Sequence, residues 1–152
     1  MISASLRYGF YREQSAILSN FRIRLLRISV LNLIPAAAIC LGVNLLLLLS
    51  AESWGAGDAV LFCVTIVALS LFFSVHHLFM YYIFQPYSTE LNVKNPFFTI
   101  VNSVVLGIGF IAMQFKSELG MFAMIVVLSA VVYMLAALIM VYRFSGRTFR
   151  VK

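Results

Sequence analysis

The chain has 152 residues and a formal net charge of +6 at pH 7; 63% of its residues are hydrophobic and only 11% are charged. A soluble domain is roughly half apolar and about a quarter charged, so a soluble fold of this length could not bury so much apolar surface. The composition therefore excludes an ordinary soluble domain and predicts an integral membrane protein whose apolar surface is covered by lipid.

A basic segment with interspersed aromatic residues, residues 1–27, comes first. Ile17, Phe21 and Leu25 recur at intervals of four, which is the spacing of one helical face. Arginine together with interfacial aromatic residues is typical of an amphipathic helix that lies among anionic headgroups. The segment is therefore predicted to be an interfacial amphipathic helix, and a frayed basic tail is the alternative.

Four apolar runs follow, and each is close to or longer than the about 20 helical residues that cross the hydrocarbon core of a bilayer. They predict an all-α, four-helix membrane bundle followed by a basic tail. The predicted spans are residues 28–50, 59–84, 97–115 and 121–142, and the tail is residues 143–152.

Single residues within and between the runs predict local features. Pro35 is expected to kink the first span, because proline removes one helical hydrogen bond. Asp58 is a candidate cap for the second span, and Pro96 precedes the third at the position that proline favours. Gly107 and Gly109 predict a close helix contact or local flexibility in the third span. The short link after that span predicts an antiparallel hairpin of spans three and four.

The distribution of cations predicts the orientation, because cytoplasmic segments of membrane proteins carry an excess of lysine and arginine. An even number of spans places both ends on one side, and both ends are basic. With both ends inside, Lys116 is the single cation of the outer links, out of 11 lysines and arginines in total. The prediction is a multi-pass protein of a bacterial-type inner membrane with both termini in the cytoplasm.

Polar residues inside the apolar runs are costly when they face lipid, so they are the candidates for a polar or substrate path. His76 and His77 are adjacent and point about 100° apart on a helix, so they cannot readily line one metal site. Hydrogen bonds to neighbouring helices or to headgroups are the simplest interpretation of both. The candidates for the path are His76, His77, Asn32, Asn44, Asn102 and Gln114.

Two further groups of residues are assigned to the membrane surface and to a partner. Aromatic residues and arginine favour the membrane interface, and the interface candidates are Arg22, Arg24, Arg27, Trp54, Tyr81, Tyr82 and Arg143. The inner link between spans two and three can form a short surface helix that docks on a cytoplasmic partner, and a passive turn is the alternative. Its candidate docking residues are Gln85, Tyr87, Leu91, Val93 and Lys94.

The sequence does not predict an enzyme. It contains no recognisable nucleophile–base–acid set and no phosphate-binding glycine loop followed by lysine and serine or threonine. Cys40 and Cys63 both fall in apolar runs, where free cysteine behaves as a small apolar residue, and no metal or other cofactor is expected. Membrane topology explains the basic ends, so nucleic acid is not expected as a partner.

The segment around the inner link has a recognisable pattern. It reads HLFMYYIFQPY over residues 77–87 and continues to VKNP at residues 93–96. Over about residues 73–102 the chain resembles the membrane subunits of bacterial ABC-2-type exporters. The resemblance implies a permease that pairs with a separate cytoplasmic ATPase and with itself or a second membrane subunit, and it implies that the inner link docks on the ATPase. Such permeases usually have more spans than the four predicted here.

The leading hypothesis is a non-catalytic membrane subunit of a transporter, with an ABC-type exporter as the class that the resemblance implies. A membrane scaffold or regulatory protein, acting through the N-terminal segment or the inner link, is one alternative. A small self-associating transporter or channel, with a polar path through the asparagines, is another. In each case membrane lipid is an expected partner.

Overall fold

The computed structural model describes residues 14–50, 55–84, 96–114 and 118–148, and every regular element in these ranges is an α-helix. The helices are α1 (Gln14–Leu49), α2 (Ala56–Phe84), α3 (Pro96–Gln114) and α4 (Leu119–Thr148). Their order follows that of the four apolar runs. The prediction of an all-α helix bundle is confirmed.

Three of the helices are long and apolar enough to cross a membrane: Ser15–Leu49 within α1, the whole of α2, and Leu119–Phe144 within α4. α3 is shorter, with 19 residues, which is about 28 Å at 1.5 Å per residue, against a hydrocarbon core of about 30 Å. Length and composition therefore indicate a membrane protein with three clear spanning helices, while α3 is at the lower limit of length. The orientation of the termini stays a prediction.

α1 is a single helix of 36 residues that contains Pro35. It passes Arg27 without interruption, so the described part of the basic N-terminal segment and the first apolar run form one helix. Ile17 and Phe21 are buried, and the Phe21 ring packs edge-on against Tyr82 of α2 with 5.2 Å between centroids. The helical face indicated by their spacing is present, and Ile17 and Phe21 on that face pack inside the bundle. The placement of the segment at a membrane interface stays a prediction.

The helix starts depend on backbone hydrogen bonds that the sequence predicts only in part. Gly55 occupies the N-cap position of α2, because its carbonyl accepts a bond from the Ala59 amide at 3.1 Å. The Asp58 carboxylate accepts a bond from the Gly55 amide at 3.3 Å, which is the acidic half of a capping box.

Pro96 is the first residue of α3, in agreement with the preference of proline for that position. α4 begins at Leu119, ahead of the predicted start of the fourth span.

α2 is the central helix: it packs extensively against α4 and α1, while α1 and α4 touch each other less. The buried core is concentrated at the end of the bundle where α1 begins and where α2 and α4 end. α1 therefore runs antiparallel to α2, and α4 runs parallel to it. The side chains of this core cluster are Ile17, Phe21, Val75, Leu78, Phe79, Met80, Tyr82, Ala137 and Val141.

Small residues form the seam along which α4 packs. Ala123, Ala130 and Ala137 are buried at intervals of seven residues, so they lie on one face of the helix. Between helices in lipid there is no hydrophobic driving force, and small residues favour association because they let the backbones approach closely. Buried alanines on one face fit the extensive contact between α4 and α2.

Among the described residues, α3 does not pack against α4 as the predicted antiparallel hairpin requires. It makes a small contact with α2 and no substantial contact with α4 in the described part of the chain, so the two helices do not pack as a hairpin. A Cβ atom built on Gly107 or Gly109 would meet no atom within 4 Å, so the close helix contact expected there is absent from the described ranges. A short link keeps two helix ends near each other, but it does not supply the small-residue seam or polar pairs that hold membrane helices together along their length.

Overpacking the alanine seam should destabilise the bundle. Ala130→Leu inserts an isobutyl group into the contact of α4 with α2 and is expected to lower the free energy of unfolding by about 1–3 kcal/mol. Ala136→Leu makes the same change at an exposed position of the same helix and should have little effect. Unfolding by sodium dodecyl sulfate in mixed micelles measures both variants. Equal effects would show that the seam does not pack against α2.

Candidate functional site: a polar junction of three helices

A buried polar junction joins α2, α3 and α4. It is centred on His76 of α2, whose side chain is 2% exposed. The Nδ1 atom of His76 lies 2.5 Å from the hydroxyl oxygen of Tyr133 in α4, and its Nε2 atom lies 3.1 Å from Oδ1 of Asn102 in α3. Each ring nitrogen therefore has a hydrogen-bond partner on a different helix. These three residues are called the His76 junction below.

The two partners determine how a neutral His76 ring carries its proton. An amide oxygen only accepts, so Nε2 of His76 carries the proton and donates to Asn102. Nδ1 then accepts from the Tyr133 hydroxyl. In this arrangement neither ring nitrogen is left without a partner in an apolar interior, where an unsatisfied polar group costs about 1–3 kcal/mol. The junction is thus satisfied by an uncharged histidine.

Aromatic rings enclose the junction. The Phe72 ring stacks on the His76 imidazole with 5.8 Å between centroids and 7° between planes. It also contacts the Tyr133 ring at 4.8 Å, and Phe79 meets that ring edge-on at 6.3 Å. The rings cover the apolar faces of His76 and Tyr133, so the hydrogen bonds lie in a low-dielectric environment that strengthens them.

His77 is not part of the junction. It is exposed, whereas His76 is buried, as expected for neighbours that point about 100° apart on a helix. Among the residues that the structure describes, no three His, Cys, Asp or Glu side chains are grouped closely enough to hold a metal ion. The adjacent histidines therefore occupy different environments.

Two further polar contacts join α1 to α2. Asn32 of α1 donates to the Ser74 hydroxyl oxygen of α2 at 2.9 Å. Asn44 of α1 lies with its amide nitrogen 3.4 Å from the Cys63 sulfur of α2. Both asparagines therefore direct an amide nitrogen toward α2. A polar side chain that faces a neighbouring helix avoids the cost of facing lipid.

The six residues of the predicted polar path lie in separate places. The structure brings together His76 and Asn102, while Asn32 and Asn44 contact α2 elsewhere. His77 is exposed, and Gln114 is exposed at the end of α3. The described side chains thus form three separate interhelical contacts rather than one continuous polar line.

Several predicted interface residues lie at the end of the bundle that holds the core cluster. The Arg22 side chain donates from Nε to the Tyr142 hydroxyl at 2.8 Å. The Arg24 guanidinium lies 5.8 Å from the centre of the Tyr81 ring, within the range of a cation–π interaction. These contacts connect the start of α1 to the ends of α4 and α2.

The other interface candidates differ in their surroundings. Arg27 and Arg143 are exposed. Tyr82 is 2% exposed and belongs to the core cluster, so the structure places it inside the bundle and not on a lipid surface. Trp54 lies outside the described residues, as do the five docking candidates Gln85, Tyr87, Leu91, Val93 and Lys94.

Tyr133 completes the junction, although no pattern in the sequence singles it out as a site residue. The available signal is its register: it follows Ala130 by three residues and precedes Ala137 by four, so it lies near the face of the buried alanines. A tyrosine that is largely buried usually finds a partner for its hydroxyl. His76 is that partner here.

Comparison with protein-family models, with curated proteins and with solved structures finds no match to this chain. The fold by itself defines an all-α helix bundle with three helices of membrane-spanning length and composition. The main polar feature of this bundle is a buried histidine that hydrogen-bonds to two other helices.

Replacing His76 should lower the free energy of unfolding more than replacing the adjacent His77. His76→Phe keeps an aromatic ring on α2 but deprives the Tyr133 hydroxyl and the Asn102 amide of their partner, so we expect the free energy of unfolding to fall by about 1–3 kcal/mol. His77→Phe is the matched control at an exposed position and should change little. The measurement is unfolding in lipid-free mixed micelles. Equal stability of the two variants would contradict the geometry of the junction.

Proposed function

We propose that the protein is a non-catalytic membrane subunit of a transporter. The observation that supports this proposal is the His76 junction. Ionisable side chains within membrane-spanning helices are rare, and they generally mark substrate or ion pathways or proton relays. In this bundle the ionisable side chain joins the loosely packed α3 to the tightly packed pair of α2 and α4.

The surroundings of α3 suit an element that changes position. α3 meets the bundle through Asn102, which bonds to His76, and through Phe98 and Val101, which pack on the core cluster. A helix held by few contacts shifts at a small free-energy cost, and a ligand or proton that interacts differently with its two positions changes their populations. Movement of one helical group against another around a polar site is the general basis of alternating access.

We further propose four spans, with both termini on the cytoplasmic side of an inner membrane. α4 runs parallel to α2, so α4 begins at the end of the bundle opposite to the end where α2 stops. The four residues between Gln114 and Leu119 reach at most about 18 Å, so α3 has to cover most of the distance between the two ends. The exposed arginines at the core-cluster end favour the cytoplasm for that end.

Cysteine labelling tests this topology. In a chain with Cys40→Ala and Cys63→Ala, we expect a membrane-impermeant maleimide added to intact cells to label Lys116→Cys but not Asn92→Cys or Arg150→Cys. All three should react after permeabilisation. The same reactivity at positions 92 and 116 would mean that α3 does not cross the membrane, and labelling at 92 and 150 alone would mean that the orientation is reversed.

The partner subunits follow from the resemblance over residues 73–102 and from one exposed surface. Ile100, Val104, Ile108 and Ile111 of α3 are all more than half exposed, and their spacing places them on one helical face. We propose that another membrane subunit, or a second copy of this chain, packs on that face. The inner link, residues 85–95, is proposed to contact a separate ATPase.

Co-purification tests the partnership. From native membranes in mild detergent, we expect the tagged chain to recover a second membrane subunit and an ATPase polypeptide with measurable ATP hydrolysis. The double variant Tyr87→Ala and Leu91→Ala should lose most of the ATPase, because these residues are assigned to docking. Trp54→Ala, in the outer link, is the control and should retain it. Recovery of neither partner by the unaltered chain would count heavily against the transporter role.

A further inference from the structure

A groove of about 300 Å³ opens between α1 and α2 on the outside of the bundle. Its walls include Pro35 and Ile39 of α1 and Ile66 and Phe73 of α2, and its polar groups come from Asn32 and Ser70. This volume is at the lower end of the range for small-molecule sites, which is about 300–1,000 Å³. The groove therefore has room for one narrow apolar chain.

The groove changes from polar to apolar along its length. α1 and α2 are antiparallel, and Asn32 pairs with Ser74 across them, so Asn32 and Ser70 lie toward the end that holds the core cluster. Ile39 and Ile66 lie toward the opposite end, each at least one helical turn further along its helix. A ligand that fills the groove should therefore be polar at one end and apolar along the rest.

Two polar side chains of the groove, Asn32 and Ser70, keep hydrogen-bonding capacity that the described residues do not use. The Ser70 hydroxyl oxygen is buried and has no hydrogen-bond partner among the described residues. Asn32 uses one amide hydrogen on Ser74 and has a second that can donate. Polar groups without partners are costly in an apolar environment, so the groove favours an occupant with oxygen atoms at this level.

Positive charge lies beyond the polar end of the groove. His77 follows Phe73 by four residues and Tyr81 follows by eight, so both lie on the same face of α2 as the groove wall, and both are exposed. Arg24 of α1 is 5.8 Å from the Tyr81 ring. From the core-cluster end, this surface presents the Arg24 cation and then the His77 imidazole. The amide of Asn32 with Ser70 follows, and the apolar part of the groove comes last.

We infer that the groove binds one anionic glycerophospholipid from the leaflet at the basic end of the bundle. The phosphate lies against Arg24 and His77. The ester oxygens accept a hydrogen bond from the Asn32 amide at the level of Ser70, and one acyl chain extends toward Ile39. The inference requires α1 and α2 to be in the membrane, but it does not depend on the transporter role.

Charge and size both favour this occupant. Acidic side chains among the described residues, Asp58 and Glu118, lie at the starts of α2 and α4, which is the opposite end of the bundle, so no described carboxylate repels a phosphate at Arg24. One turn of a protein helix about 10 Å wide occupies roughly 400 Å³, which is more than the groove volume of about 300 Å³. A single acyl chain is much narrower than a helix, and an anionic headgroup matches the charge of Arg24.

Native mass spectrometry of the full chain released from detergent tests the site. After equilibration with palmitoyl-oleoyl phosphatidylglycerol or phosphatidylcholine, the unaltered protein should retain one phosphatidylglycerol in preference to phosphatidylcholine. Ser70→Leu fills the groove and should abolish retention of that lipid. Arg24→Gln should weaken phosphatidylglycerol binding about fivefold, which is the typical contribution of one cation near an anionic lipid, and leave phosphatidylcholine unchanged.

Two variants serve as matched controls. Ser129→Leu makes the same exchange on an exposed part of α4, and Arg143→Gln removes an exposed cation at the same end of the bundle; neither should change lipid retention. Equal retention of the two lipids, or retention that Ser70→Leu leaves unchanged, would overturn the inference. If Ser70→Leu does not fold, Ile39→Trp blocks the groove from its exposed rim and gives the same comparison.

Discussion

In an apolar environment a buried polar side chain has to find its partner within the protein, and this constraint determines how the four helices meet. The hydrophobic effect does not draw helices together in lipid, so interhelical hydrogen bonds and close packing have to do so. α2 supplies the partner in the part-buried interhelical contacts: Ser74 for Asn32, Cys63 for Asn44, and His76 for both Asn102 and Tyr133. α2 is therefore the helix on which the positions of the other three depend.

The same constraint distinguishes α3 from α4, although both bond to His76. α4 adds a seam of buried alanines to its hydrogen bond, so its backbone lies close to α2 over much of its length. α3 has two glycines, Gly107 and Gly109, but nothing approaches them, and its contact with α2 stays small. The hydrogen bond of Asn102 therefore makes up a larger part of the contacts that hold α3 in place. The hydrogen bond of Tyr133 makes up a smaller part of the contacts that hold α4. A change at His76 should therefore move α3 before it moves α4.

Much of the fold could be predicted from the sequence, because an apolar run of about 20 residues in hydrocarbon satisfies its backbone only as a helix. The need of Asn32 and His76 for protein partners follows from the same penalty. Which partners they find does not follow, because Ser74 is 42 residues from Asn32 and Tyr133 is 57 residues from His76. Pairing over such separations depends on the rotation of each helix about its axis. For the same reason the spacing of Ile17 and Phe21 indicates a buried face without showing that the face meets Tyr82.

The groove and the His76 junction lie on neighbouring turns of α2. Ser74 and His76 are two residues apart and so point about 200° apart around the axis, which places the α1 side with its groove and the His76 junction on opposite faces. Ser74 also donates to the backbone carbonyl of Ser70 at 2.9 Å, so the groove wall and the residue that holds Asn32 are directly connected. Ser70 and His76 are six residues apart, less than two turns of the same helix. One short stretch of α2 therefore carries both the groove wall and the residue that holds α3.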